Sequence, residues 1–141
     1  MNITVRPLEA HDLEWVIKTD QLFPHPWKEN AWRNLSSAER CFVLQMDEKL
    51  KGYILFRHLS GAEDGHLLKI FLLEEARGLG GAQKLLEVSS ELLGLKEIFL
   101  EVGETNLRAQ QFYSKMGFKK VHLARGFYSD GENAWIMTLT R

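Results

Sequence analysis

Cysteine is almost missing from this chain. The single Cys41 excludes an internal disulfide, and its setting, CFVLQM, reads as a small core residue and not as a reactive thiol. Long apolar runs are missing too: no stretch approaches the length of a membrane span. The opening MNITVRPLEAHDLEW has no basic segment followed by an apolar one, so no membrane association is expected and the cytoplasm is the expected location. Nor is there an excess of one charge. Lys and Arg number 18 against 19 Asp and Glu, and the net charge of -1 gives no field for gripping nucleic acid or an anionic bilayer. The histidines, His11, His25, His58, His66 and His122, make no metal-ligand spacing with one another or with Cys41, so no metal is implied. Repeats, low-complexity tracts and linkers are absent as well. With 141 residues and 45% hydrophobic content, the chain is the size of one domain, 1–141, with its own core. A monomer is the expectation, because no exposed apolar helix face stands out.

What is present reads as alternating strands and helices. Ile3 to Arg6 is a short strand closed by Pro7, and Leu13, Val16, Ile17 and Leu22 predict a helix over Glu9 to Leu22. Phe23-Pro24-His25-Pro26-Trp27 is an aromatic elbow, since each proline drives its predecessor out of the helical region, and Lys28 to Leu35 predicts a second helix. Cys41 to Gln45 and Tyr53 to Arg57 predict a hairpin, and His66 to Leu73 a nearly unbroken apolar strand with both faces covered. Ala82, Leu85, Leu86, Leu92 and Leu93 recur on a helix that Gly94 ends. Lys96 to Val102 is a further buried strand. Asn106 to Met116 is a helix with Ala109, Phe112, Tyr113 and Met116 on one side and Gly117 as its stop. Phe118 to Leu123 and Ala134 to Thr140 then form an antiparallel pair. The order β-α-α-β-β-β-α-β-α-β-β predicts an α/β protein with a mixed sheet and helices on its faces.

Two stretches carry chemistry. In the first, Ile70 to Leu86, strand becomes helix through Arg77-Gly78-Leu79-Gly80-Gly81-Ala82-Gln83, and the glycines let backbone N–H groups approach an anion that side chains would block. A glycine-rich connection needed only for a tight turn is the alternative. A nucleoside-triphosphate loop is excluded, because no Gly-Lys-Ser/Thr ends the turn. The dinucleotide fingerprint wants its third glycine where Gln83 stands. In the second stretch, Leu100-Glu101-Val102-Gly103-Glu104-Thr105-Asn106, a carboxylate among apolar neighbours is either a proton acceptor or a solvated side chain on an edge strand. Asn106 can cap the next helix, and Tyr113 lies two turns on, as a core residue or as one reaching toward the sheet.

Arg77-x-x-Gly80-x-Ala82, preceded by Ile70-Phe71-Leu72, resembles the Q/R-x-x-G-x-G/A signature of the GNAT family of N-acetyltransferases, and the order of elements is similar along the whole chain. The resemblance implies the acyl-CoA N-acyltransferase fold. It also implies that acetyl-CoA is held by the backbone of Ile70, Phe71 and Leu72 and by Arg77, Gly78, Leu79, Gly80, Gly81, Ala82 and Gln83. The run from Leu100 through Asn106, Ala109, Phe112-Tyr113 and Gly117-Phe118 is similar to the RimI-like branch, which acetylates the N-terminal amine of a ribosomal protein. That similarity implies Glu101 as general base, Tyr113 as the acid toward the CoA thiolate, and Asn106 on the CoA side. The elbow and the hairpin segment Arg125 to Met137 resemble the same branch, implying an acceptor entrance walled by Phe23, Trp27, Phe127 and Tyr128. A hydrophobic cluster closing the sheet end is the alternative for Phe23 and Trp27. Three positions depart from the pattern: Glu74 replaces a common proline, Gly103 an arginine, and Asn133 an aspartate. The implied acceptor is a protein or peptide N-terminus, a ribosomal protein among the candidates. A small amine or lysine side chain is the alternative acceptor, and a non-catalytic acyl-CoA-binding module the alternative class.

Overall fold

In the computed structural model, which describes residues 1–141, seven strands form one sheet in the order β1-β2-β3-β4-β5-β7-β6. The strands are β1 Ile3–Pro7, β2 Glu39–Met46, β3 Lys49–Arg57, β4 Asp64–Leu72, β5 Glu97–Gly103, β6 Lys119–Ala124 and β7 Ala134–Thr140. The helices are α1 Leu13–Asp20, α2 Glu29–Arg33, α3 Gly81–Leu93 and α4 Leu107–Lys115. Every strand pair is antiparallel except β4 with β5. The sheet is therefore mixed and helix-covered, as the pattern predicts. No helix is long and apolar enough to cross a membrane.

Each face of the sheet carries its own core. Leu85, Leu86 and Leu93 of α3 pack with Phe42, Leu44, Ile54, Ile70, Leu72, Leu100 and Met137 on one face, and part of Tyr113 from α4, with Met116 and Phe118 just after it, extends that cluster. On the other face Val16 and Ile17 of α1 and Trp32 of α2 pack with Cys41, Val43, Tyr53 and Leu55. Burial pushes the Cys41 thiol far up, as suits the inert core residue expected of it.

Helix boundaries differ from expectation where polar side chains intervene. The segment predicted as one helix from Glu9 to Leu22 is a 3-10 turn at Ala10–Asp12 followed by α1. Asp12 causes the break: it is buried beneath a bidentate Arg6 (2.7 and 3.0 Å) and takes the Glu9 N–H at 2.8 Å. Leu92 and Phe112, expected on packing faces, are exposed, because each sits at the margin of its helix's buried stripe. Gln110 takes the buried place on α4, where its amide donates to the Gly103 and Glu104 carbonyls at 2.9 Å each.

A bulge organises the middle of the sheet. Leu55 pairs with Lys69 and Phe56 with Leu67, so Leu68 is an extra residue in β4. Strict alternation would put Lys69 on the α3 face with Leu67. The extra residue turns it to the α1 face, where its ammonium lies 2.9 and 3.2 Å from the two oxygens of the fully buried Asp20. Asp20 also accepts from Tyr53 Oη (2.7 Å), Trp32 Nε1 (3.0 Å) and the Trp27 amide (2.7 Å). Burial alone would raise this carboxyl, but the hydrogen bonds from Tyr53, Trp27, Lys69 and Trp32 outweigh it and hold the group below its ordinary range.

Asp20→Ala should therefore cost about 3–5 kcal/mol at pH 7, the range for removing one partner of a buried pair. A depressed carboxyl contributes fully above its unfolded pKa, ordinarily 3.8, and the contribution is lost as pH falls through the lower folded value. The gap between wild type and variant should thus narrow from pH 7 to about pH 3 in urea unfolding. A cost under about 1 kcal/mol at pH 7 would show that the carboxylate does not dock α1.

Candidate active site

After β4 the chain makes a 3-10 turn, Glu74–Ala76, and reaches α3 through Arg77–Gly80. Gly78 and Gly80 adopt φ of 78° and 79°, and a Cβ at either would meet nothing within 4 Å, so the backbone conformation, not crowding, requires glycine there. Gly81 serves packing: a Cβ on it would lie 2.8 Å from Leu72 Cδ2 and 3.2 Å from Met46 Cε. The result is an arc of amides. From Gly78 through Gln83 no N–H donates to another group of the chain, and the arc opens a 13-residue helix at its positive end. Such an arc binds phosphate oxygens. Arg77 and Leu79 are exposed beside it, Ala82 is half-buried, and the Gln83 side-chain amide, unlike its backbone N–H, donates to Glu87 at 3.0 Å. The acidic residues ahead of the arc are accounted for in part. Lys51 lies 2.9 Å from Glu75 and holds its carboxyl below the usual range by that hydrogen bond, while Glu74 is exposed.

Beside the arc the two parallel strands part. β4 pairs with β5 only over Asp64–His66 against Glu97–Phe99. The Leu73 N–H donates to Lys51 at 2.8 Å, so ladder alternation turns the peptide groups of Phe71 toward β3 and those of Ile70 and Leu72 toward the side that β5 has left. Ile70 and Leu72 thus offer free backbone groups along the opening. Phe71 contributes a ring to the α1 face, stacked on Phe23 with centroids 4.1 Å apart.

Glu101 lies on that same α1 face, in β5 past the parting. Its carboxylate is 2.8 Å from His66 Nε2, and the His66 ring stacks on Phe99 at 4.5 Å. Tyr113 packs on the opposite face, with the α3 cluster. Burial, and then the nearby Tyr128, push its hydroxyl up to about 12. Tyr128 is itself raised by burial and then by Glu101, Glu132 and Asp130. Tyr128 is thus within electrostatic reach of both Glu101 and Tyr113. Phe127 stands exposed against Tyr128 with ring centroids 5.0 Å apart. The elbow ring Trp27 tilts over Trp32 at 5.4 Å, and the Lys69 ammonium lies 5.7 Å from the Trp27 ring and 5.8 Å from the Phe71 ring. Asn106 caps α4: its side-chain oxygen accepts from the Ala109 amide at 3.1 Å.

Two groups here escape a sequence-only reading. His66 looked like one of several scattered histidines, and its partnership with Glu101 depends on the short parallel register of β4 with β5. Lys69 did leave a signal, since a lysine inside a strand covered on both faces must find a buried carboxylate. No group of three or more His, Cys, Asp or Glu side chains is gathered to hold a metal ion.

Comparison with known proteins gives these features a context. The model of the Acetyltransferase (GNAT) family matches residues 8–118. An N-alpha-acetyltransferase of Saccharolobus solfataricus is 32% identical over 96% of this chain and 92% of its own length. One from Sulfurisphaera tokodaii is 30% identical over 94% and 90%. Among solved structures, the ribosomal-protein-S18-alanine N-acetyltransferase of Escherichia coli superposes with a TM-score of 0.80 at 26% identity, covering 99% of this chain and 94% of that one.

The arc makes a direct prediction. Gly80→Asp, which sets a carboxylate among these amides, should weaken CoA binding in isothermal titration by about tenfold or more, about 1.4 kcal/mol. Unchanged affinity in a folded variant would show that the arc does not hold a CoA diphosphate.

Proposed function

The chain belongs to the GNAT family of acetyltransferases, and from that premise we propose that it transfers the acetyl group of acetyl-CoA to the free α-amine at a protein N-terminus. The observation that carries this reading is the amide arc of Gly78 to Gln83 beside parted strands, with Glu101 on one face of the opening and Tyr113 on the other. The names of the two archaeal relatives support the α-amine as acceptor, and the Escherichia coli structure puts ribosomal-protein N-termini on the panel to be tried.

The residues divide the work. The amides from Gly78 to Gln83 hold the diphosphate, with the exposed Arg77 and Leu79 beside them, and the outward peptide groups of Ile70 and Leu72 hold the arm that follows. Asn106 flanks the CoA side from the start of α4. Acetyl-CoA supplies the acetyl group as an activated thioester. An ammonium cannot attack a carbonyl, so the acceptor must lose a proton, and Glu101 takes it. His66 holds that carboxylate in place through its 2.8 Å contact, its own ring fixed by Phe99. The Leu72 N–H, which β5 leaves free, faces the charge that grows on the carbonyl oxygen. Tyr113 remains protonated at every working pH, the state in which it donates to the departing sulfur. Phe23, Trp27, Phe127 and Tyr128 wall the acceptor entrance, and their apolar surfaces exclude water from the amine.

Thiol release from acetyl-CoA distinguishes the acceptors. A short peptide with a free N-terminus should be turned over, and the same peptide blocked there but carrying a lysine should not. The reverse pattern would favour lysine acetylation, and CoA binding without thiol release would mark a binding module. Within the reaction, Glu101→Gln should lower kcat by about 100-fold or more, with acetyl-CoA affinity preserved. Tyr113→Phe should slow single-turnover acetyl transfer in a folded protein. Wild-type rates in either variant would remove that residue from the mechanism.

A further inference from the structure

The Asp20–Lys69 pair is buried, charged and unused by the chemistry above, yet its contacts end on the elbow. The Lys69 Nζ donates to the His25 carbonyl at 3.1 Å, and Asp20 Oδ2 accepts the Trp27 amide at 2.7 Å. Between those two anchors lies Pro26. His25 takes φ of 59°, a left-handed conformation that a histidine adopts only at a cost, so the elbow is held in its shape and does not choose it. Phe23 and Trp27, the two rings expected at the acceptor entrance, flank the pinned segment, and the Lys69 ammonium reaches the rings of both Trp27 and Phe71, the latter stacked on Phe23.

Energetics favour a positioning role over a stabilising one. Taking an ammonium and a carboxylate out of water costs several kcal/mol per ion, and apolar replacement of such a pair is often neutral. Tyr53, Trp32 and the Trp27 amide already satisfy much of Asp20. What Lys69 adds, and what no apolar residue could supply, is a donor for the His25 carbonyl.

We propose that Lys69, held by Asp20, is a positioning residue for the acceptor: it fixes the Phe23–Trp27 elbow so that the entrance is formed before the acceptor arrives. This rests on reading the elbow as an acceptor wall. Lys69 touches no reacting atom. Its loss therefore weakens acceptor capture and leaves the CoA side intact.

The test uses Lys69→Met and the double variant Asp20→Asn/Lys69→Met, with the acceptor being whichever of the free-N-terminus or lysine peptides the wild type acetylates. A wrong acceptor class then cannot stand in for a wrong proposal. Lys69→Met should raise the acceptor KM about tenfold, a size expected when a binding wall is displaced, while changing kcat less and acetyl-CoA affinity by under about twofold. Because the single variant strands a buried carboxylate, it should also lose thermal stability. The double variant removes both charges and should regain stability without regaining KM, since His25 still has no donor. Hydrogen exchange at the Trp27 amide should be faster in both. KM recovering together with stability, or unchanged exchange at Trp27, would overturn the proposal. Faster exchange with an unchanged acceptor KM would overturn it by removing the elbow from the acceptor site, with the acetyltransferase reading left standing.

Discussion

One carboxylate ties this molecule together. Asp20 ends α1, and its two oxygens collect donors from α2 (Trp32), β3 (Tyr53), β4 (Lys69) and the elbow (Trp27 amide). A carboxylate with no exposed surface is unfavourable by several kcal/mol unless its lone pairs are filled and its charge is matched, and here both conditions are met. The condition works in reverse as a constraint on geometry. Short helices of eight and five residues have little stability of their own, so their docking angle is set by what they must bring to Asp20. The α1 face of the sheet is consequently a defined surface, and the elbow that leaves it has a defined start.

The bulge at Leu68 makes this arrangement possible. An extra residue in β4 turns Lys69 toward Asp20, and the pairing of β4 with β5 ends at His66, two residues before it. The bulge thus orients the Lys69 contact to the elbow, and the short β4–β5 pairing leaves the peptide groups of Ile70 and Leu72 free. Glu101 and Tyr113 lie on opposite faces of the sheet, so the proposed reaction needs a gap between strands. In a continuous sheet a backbone layer would stand between them. The parting of β4 from β5 removes that layer beside them.

The elements that depend on local pattern were legible in the sequence. Apolar periodicity, Pro7, Gly94 and Gly117 marked strands and helix ends to within a few residues, and the glycines of the turn marked the arc because positive φ has a residue signature. Features that depend on register were not. Nothing in the spacing of His66 and Glu101 says that they meet, because that contact exists only if β4 and β5 pair in parallel for a few residues and then separate. The bulge was hidden for the same reason: HLLKIF reads equally well as an unbroken apolar strand, and only its partner across the sheet shows the extra residue. Lys69 was the visible anomaly in that run. Taken seriously as a buried cation, it points to Asp20, the acid at the C-terminal end of the preceding amphipathic helix.

The three departures from the family pattern are not equivalent. Glu74 is exposed in the 3-10 turn after β4, and its side chain makes no hydrogen bond or ion pair. Gly103 and Asn133 belong to one substitution of parts. A Cβ at position 103 would lie 2.5 Å from Glu132 Oε1, and Glu132 uses that oxygen to accept from the Thr105 hydroxyl at 2.7 Å and its amide at 3.2 Å. Asn133 donates to Glu104 at 3.1 Å and accepts from the Gly126 amide at 2.8 Å. An aspartate in its place would set two carboxylates against each other across that distance, with no donor between them. A side chain at position 103 would therefore have to displace the Glu132 carboxylate, and an aspartate at 133 would face Glu104. Glycine leaves room for Glu132, and the amide matches Glu104. Together they clamp the β6–β7 hairpin to the end of β5.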